Sequence, residues 1–250
     1  MRDAARRASL GTLASIALFA LAAASAYGAW GPPAKWEAGT CTGNQVEVKS
    51  CEYTNPAEPF YTQAAGHPPW GLTGFEVAHE GSGGGRKPLG TLKRIRVDVP
   101  PGLAADPQTL PTCSPAEFNA GVCSPLTKVG FVELEAYVGA PLNTILTLEG
   151  NVYNLPQEPG LPLLFGIEVK GVPPLVENTK LLLKGHVSYA KEPALEARGI
   201  PSGDFHEWFE IDEIPPTVGV KIGPFEAVQA PLQTLKSKLF FNGVPATATS

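Results

Sequence analysis

Six titratable side chains fall within ten residues near the C-terminal end of the chain: Asp204, His206, Glu207, Glu210, Asp212 and Glu213. On a strand, side chains alternate between faces. His206, Glu210 and Asp212 then share one face, and Glu207 and Glu213 the other. Carboxylates on one face are hard oxygen ligands, so Asp204, Glu210 and Asp212 are the candidate calcium ligands if a neighbouring loop adds oxygens. Paired carboxylates also do acid–base work. A separation of ~5 Å suits a retaining glycosidase and ~6.5–9.5 Å an inverting one, with Glu207 and Glu210 as the pair. Trp208 sits inside the cluster, and an exposed indole stacks on a sugar ring. His206, Trp208, Glu210 and Asp212 are therefore the candidate binding residues. The competing explanation is structural: charges on a solvated strand that discourage edge-to-edge pairing. That is the expected role of the cluster.

Other chemistry finds little support in the sequence. The four histidines, His67, His79, His186 and His206, form no H-E-x-x-H zinc motif. No G-x-S-x-G nucleophile elbow occurs, and no EF-hand loop. The glycine-rich stretch at 80–89 lacks the G-x-x-x-x-G-K-[ST] spacing of a phosphate loop, and it is expected to be a flexible hairpin connection. No cofactor is expected beyond a calcium ion at the acidic cluster.

The elements that must carry these residues are strands. The 250 residues include 27 Gly and 26 Pro, nearly twice the usual combined share of ~12%. Pro costs ~3 kcal/mol and Gly ~1 kcal/mol inside a helix, which excludes a helical bundle. Period-2 alternation is clearest over 90–99, where Ile95, Val97 and Val99 oppose Arg94, Arg96 and Asp98. It recurs over 129–138, and further strands are expected at 45–49, 72–79, 145–153, 163–170, 180–189, 206–212, 218–222 and 237–241. About ten strands separated by turn signals indicate an all-β, antiparallel β-sandwich with Gly/Pro-rich loops. Ser114, Pro115, Ala116 and Glu117 form a capping box and predict one helical turn. Residues 27–62 are expected to be an N-terminal arm with a first disulfide loop, and 63–250 the sandwich domain.

Residues 1–26 have the form of a secretory signal peptide. Arg2, Arg6 and Arg7 precede an apolar run at 13–24, and Ala24, Ser25 and Ala26 offer small residues for cleavage. The run is shorter than the ~20 residues of a spanning helix. Cleavage removes the three arginines and Asp3, so the mature chain is more negative than the −5 of the whole. A mildly acidic surface argues against nucleic acid as a partner. Export places Cys41, Cys51, Cys113 and Cys123 in an oxidising compartment. Four cysteines allow three pairings. Turn residues within each ten-residue interval favour the local ones, and the spacing contains no close pair of the kind a structural zinc site uses.

Short motifs follow one another in a specific order: Ala-Gly-His-Pro at 65–68, Lys-Arg-Ile-Arg-Val-Asp-Val-Pro-Pro-Gly-Leu at 93–103, and Leu-Pro-Thr-Cys at 110–113. Then come Val-Tyr-Asn-Leu at 152–155, Gly-Asp-Phe-His-Glu-Trp-Phe-Glu-Ile at 203–211 and Lys-Ser-Lys-Leu-Phe-Phe-Asn-Gly at 236–243. Together they resemble the N-terminal β-rich module of large secreted actinobacterial proteins of unassigned function. The resemblance implies an exported, disulfide-containing β-module and hands over no catalytic residue. The expected role is a secreted or cell-surface, non-enzymatic structural or interaction module. Its expected partners are other extracellular domains or cell-surface components, and no membrane span is expected in the mature chain. The alternatives are a carbohydrate- or calcium-binding module and a glycosidase-like hydrolase.

Overall fold

The fold is that of a computed structural model of the protein. It describes residues 35–51, 60–61, 66–99, 103–189, 196–199, 205–221 and 227–243. The leader at 1–26, the first part of the arm and Asp204 lie outside the described residues.

Alternation of apolar side chains builds one large antiparallel sheet, as the all-β expectation requires. Its strands are β1 (Lys35–Cys41), β2 (Trp70–Glu76), β5 (Ile95–Asp98), β6 (Lys128–Val138), β7 (Thr144–Asn154), β8 (Leu163–Val169), β9 (Thr179–Tyr189), β10 (Phe205–Ile211), β11 (Thr217–Lys221) and β12 (Ala227–Asn242). The strand order is β1-β2-β12-β6-β7-β8-β9-β10-β5, with β11 added to β12. β3 (His79–Glu80) and β4 (Lys87–Pro88) form a separate two-stranded ribbon. It brackets the glycine-rich stretch, which is a hairpin connection as expected.

The sheet curls. Thr73 and Phe75 of β2 and Ile95 and Val97 of β5 line the same interior space, although these strands lie near opposite ends of the strand order. The two layers of the core are thus two parts of one sheet. The largest cluster of buried residues includes Val132, Leu148, Val152, Phe165, Ile167, Leu183, Phe209 and Ile211. β12 contributes from both sides of a bulge between Thr234 and Lys236. An extra residue reverses which parity faces inward. Leu232 and Thr234 line the interior before the bulge, and Ser237 and Leu239 after it.

The outer face is capped by the two disulfide loops, both locally paired. Cys41–Cys51 closes over Val48, Trp70, Leu72, Phe131 and Phe240. Cys113–Cys123 closes over Phe118, Tyr153, Leu155 and Leu164. The second loop carries α2 (Pro115–Ala120) on the expected capping box, with Ser114 and Glu117 exchanging hydrogen bonds. Phe118 lies directly on Gly166, where a Cβ would come within 2.5 Å of its ring.

Two local expectations are corrected. Residues 45–49 do not form a strand. Gln45–Val48 is a helical turn, α1, because the Asn44 side-chain Oδ1 accepts from the Val46 and Glu47 backbone amides while the Glu47 carboxylate accepts from the Asn44 backbone amide. This reciprocal cap satisfies backbone donors that a lone short strand would leave open. It exposes Val46 and buries Val48. Residues 35–41, expected within a loose arm, form the edge strand β1, paired with β2 from Lys35 opposite Glu76 to Cys41 opposite Trp70.

Candidate functional site

β10 is an interior strand of the sheet, with β9 on one side and β5 on the other. His206, Trp208 and Glu210 share its outer face, as alternation predicts. Register places Ser188, His186 and Lys184 of β9 beside them. On the other side, Asp98 of β5 lies opposite Trp208 and Arg96 opposite Glu210. The charges expected on β5 and those expected on β10 therefore form one surface.

That surface is closed by internal pairing. Arg94 donates to Glu210 Oε2 through Nε at 2.9 Å and through Nη2. His186 Nε2 lies 3.4 Å from Glu210 Oε1. Arg96 donates to Asp98 Oδ1 at 3.0 and 2.7 Å, and Arg198 to Asp98 Oδ2 at 2.9 Å. Lys184 donates to Asp212 Oδ2 at 2.8 Å. This hydrogen bond lowers the Asp212 pKa and raises that of Lys184.

Trp208 has no free ring face. The His186 ring stacks on it at 3.9 Å and 11°, and the Arg96 guanidinium carbon lies 4.0 Å from the ring centroid. Two groups this close to one centroid fit only on opposite faces, which gives an Arg96–Trp208–His186 sandwich. The indole N–H donates to Ser188 Oγ at 2.8 Å. Cation–π contacts of this kind contribute ~0.5–2 kcal/mol, more when desolvated.

The expectation of a solvated strand is overturned. His206, Glu207 and Glu210 are all buried, because β10 is flanked on both sides rather than lying at an edge. Glu207 and Glu210 project to opposite faces of the strand, so they do not form a catalytic pair. Among the described residues, no three His, Cys, Asp or Glu groups gather to hold a metal. Asp212 and Glu213 lie just beyond the end of β10 and are exposed.

Glu207 shares its strand face with Phe209 and accepts a hydrogen bond from the Ala105 amide at 2.9 Å. Burial pushes its carboxyl up, and the amide partly opposes this. A carboxyl raised in the folded state binds its proton more readily there than when unfolded. Stability therefore falls as pH rises between the unfolded and folded values. Glu207→Gln is expected to be more stable than the parent at pH 7. The advantage should vanish below ~4.3, where both states are protonated. Urea midpoints at pH 7 and pH 4 that differ equally between the two proteins would contradict this.

The cavity inside the sheet was not anticipated. It measures about 100 Å³ and is lined by inward side chains of β2 and of β5 to β12, with the β8–β9 and β10–β11 connections at one side. No single segment could signal it, because the space is defined only once the sheet curls. Comparison with known protein families, curated proteins and solved structures finds no match to this chain. Among the described residues, no helix is long and apolar enough to cross a membrane.

Proposed function

We propose that the chain is an exported, non-enzymatic interaction module acting outside the cell or at its surface, among other extracellular domains or surface components. The observation that carries this reading is the state of the acidic cluster. Glu210 and Asp212 are held by Arg94 and Lys184, and Trp208 is covered on both faces. The residues with the best claim to chemistry are thus used to lock β5, β9 and β10 together. Two disulfides, each closing a loop over an apolar cluster, suit an oxidising compartment. The leader-like residues 1–26 and the resemblance to secreted actinobacterial modules point the same way.

The test is to express the whole chain from residue 1 in an actinobacterial host. The mature protein is expected in the medium or on the cell surface, beginning at Tyr27, with no free thiol. Retention in the cytoplasm with four free thiols would overturn the reading. Incubation with cell-wall polysaccharides is expected to release no reducing sugar. Release that is lost in Glu210→Gln would instead make the chain a hydrolase.

A further inference from the structure

The interior cavity has features that its role in packing does not explain. The sheet curls without closing: among the described residues β2 and β5 approach across the interior without pairing. A curled β-structure of about eight strands is filled by side chains or holds one small ligand, and here about 100 Å³ between the inward side chains remains unfilled. Its largely apolar walls forgo the contacts a filling atom would supply.

The lining specifies what would fit. The walls are strand-borne apolar side chains, with Phe75 and Phe209 among them, and the strands add only hydroxyls such as Thr73 and Ser237. Among the described residues, no Lys, Arg or His lines the space, so an anionic head group meets no counter-charge there. Among the described residues, the single charged lining residue is Glu177, which is exposed and stands in the connection between β8 and β9. A carboxylate there repels anions and accepts a hydrogen bond from a hydroxyl.

The same connection offers a route inward. It is held to β11 by the Val176–Val220 bridge, by Glu177 N–H donating to the Gly219 carbonyl at 3.2 Å, and by Lys221 N–H donating to the Leu175 carbonyl at 2.9 Å. Among the described residues, β11 has only β12 as a full strand neighbour. Val176 also packs with Val138, Val218, Val220 and Ala230, so a route beside Glu177 would part this local cluster and these backbone contacts while leaving the ladders of the main sheet paired.

We propose that the interior of the curled sheet is a binding site for a small uncharged aliphatic molecule, of the size of a short alkyl alcohol, admitted beside Glu177. An engineered cavity of ~150 Å³ takes up benzene or xenon. This one is smaller and suits a narrower ligand. The site is independent of where the chain acts and of the β10 outer face.

The test uses the whole folded protein with xenon, butan-1-ol and butyrate as probes. Xenon is expected to shift the methyl resonances of Leu148 and Ile167 saturably, leaving those of Val46 unmoved. Butan-1-ol should raise the melting temperature along a saturating curve, as binding to the native state requires, and butyrate should not. Glu177→Gln should let butyrate stabilise as well. Val169→Phe should abolish every response by filling the space. If that variant fails to fold, the methyl shifts of the parent protein decide alone. No shift on adding xenon would overturn the site. A steady fall in melting temperature with butan-1-ol, or equal stabilisation by butyrate in the parent, would overturn the ligand class.

Discussion

Phe240→Ala is expected to destabilise the protein by about 3–5 kcal/mol, the usual cost of deleting a fully buried phenyl ring. The ring is completely inaccessible to solvent. It stacks on Phe131 at 4.4 Å and 14°, and Phe131 meets Trp70 edge-on at 5.5 Å. Trp70 in turn donates its indole N–H to the Gly43 carbonyl inside the first disulfide loop, at 3.1 Å. Removing the ring leaves a void between the sheet and a loop whose covalent closure limits its collapse. At ~2–4 °C per kcal/mol for a chain of this size, the melting temperature should fall by roughly 6–20 °C. Urea unfolding should show a lower midpoint with unchanged slope, the signature of lost stability rather than altered compactness. Phe240→Leu keeps most of the volume and should cost clearly less. A loss below ~1 kcal/mol for the alanine variant would mean that the loop does collapse onto the sheet.

Phe240 also marks where sequence reasoning works and where it stops. The alternation that indicates a strand at 237–241 is real, yet β12 begins at Ala227. Pro231 and the change of inward parity at the bulge hide the first half of that strand, because period-2 reading assumes one parity throughout. At 45–49 the same rule misleads in the other direction. Val46 and Val48 alternate, but the Asn44 and Glu47 cap decides the conformation. For β10, alternation correctly groups His206, Trp208 and Glu210 on one face. It is silent on which strands flank them. The groups that cover the cluster come from distant segments: Arg94 lies 116 residues upstream of Glu210, Lys184 lies 28 upstream of Asp212, and His186 stands beside Lys184 on β9. Whether an acidic strand is a solvated edge or an ion-paired interior strand depends on strand order, and composition carries no record of that. The cavity lies one step further from the sequence. It follows from the curvature and number of strands, and each lining residue by itself is an ordinary core side chain.

Removing both disulfides should cost more than the loss of any single buried side chain. Closing a loop of this length stabilises by roughly 2.5–3 kcal/mol in the chain-entropy account. The bridges cap separate clusters with no shared member, so their contributions should add within ~0.5 kcal/mol. Together they represent on the order of 5–6 kcal/mol, against a total of ~5–15 kcal/mol for a native protein. A chain with all four cysteines replaced by alanine is therefore expected to be partly unfolded at 37 °C. Each single-bridge variant should remain folded, with a melting temperature lower by roughly 5–12 °C. The two bridges should also respond differently to reductant. Cys41 and Cys51 are both buried in one cluster with Trp70 and Phe240, whereas Cys123 is partly exposed. Attack by an external thiolate requires access to a sulfur, so dithiothreitol should open Cys113–Cys123 first. Timed alkylation and peptide mass analysis would read the order directly. Simultaneous loss of both bridges would show that the loops open through a common unfolding event rather than one at a time. The physical basis is the same in both measurements. The apolar face under each loop is small, so the covalent closure that holds α1 and α2 against the sheet accounts for a large part of the stability of the outer layer.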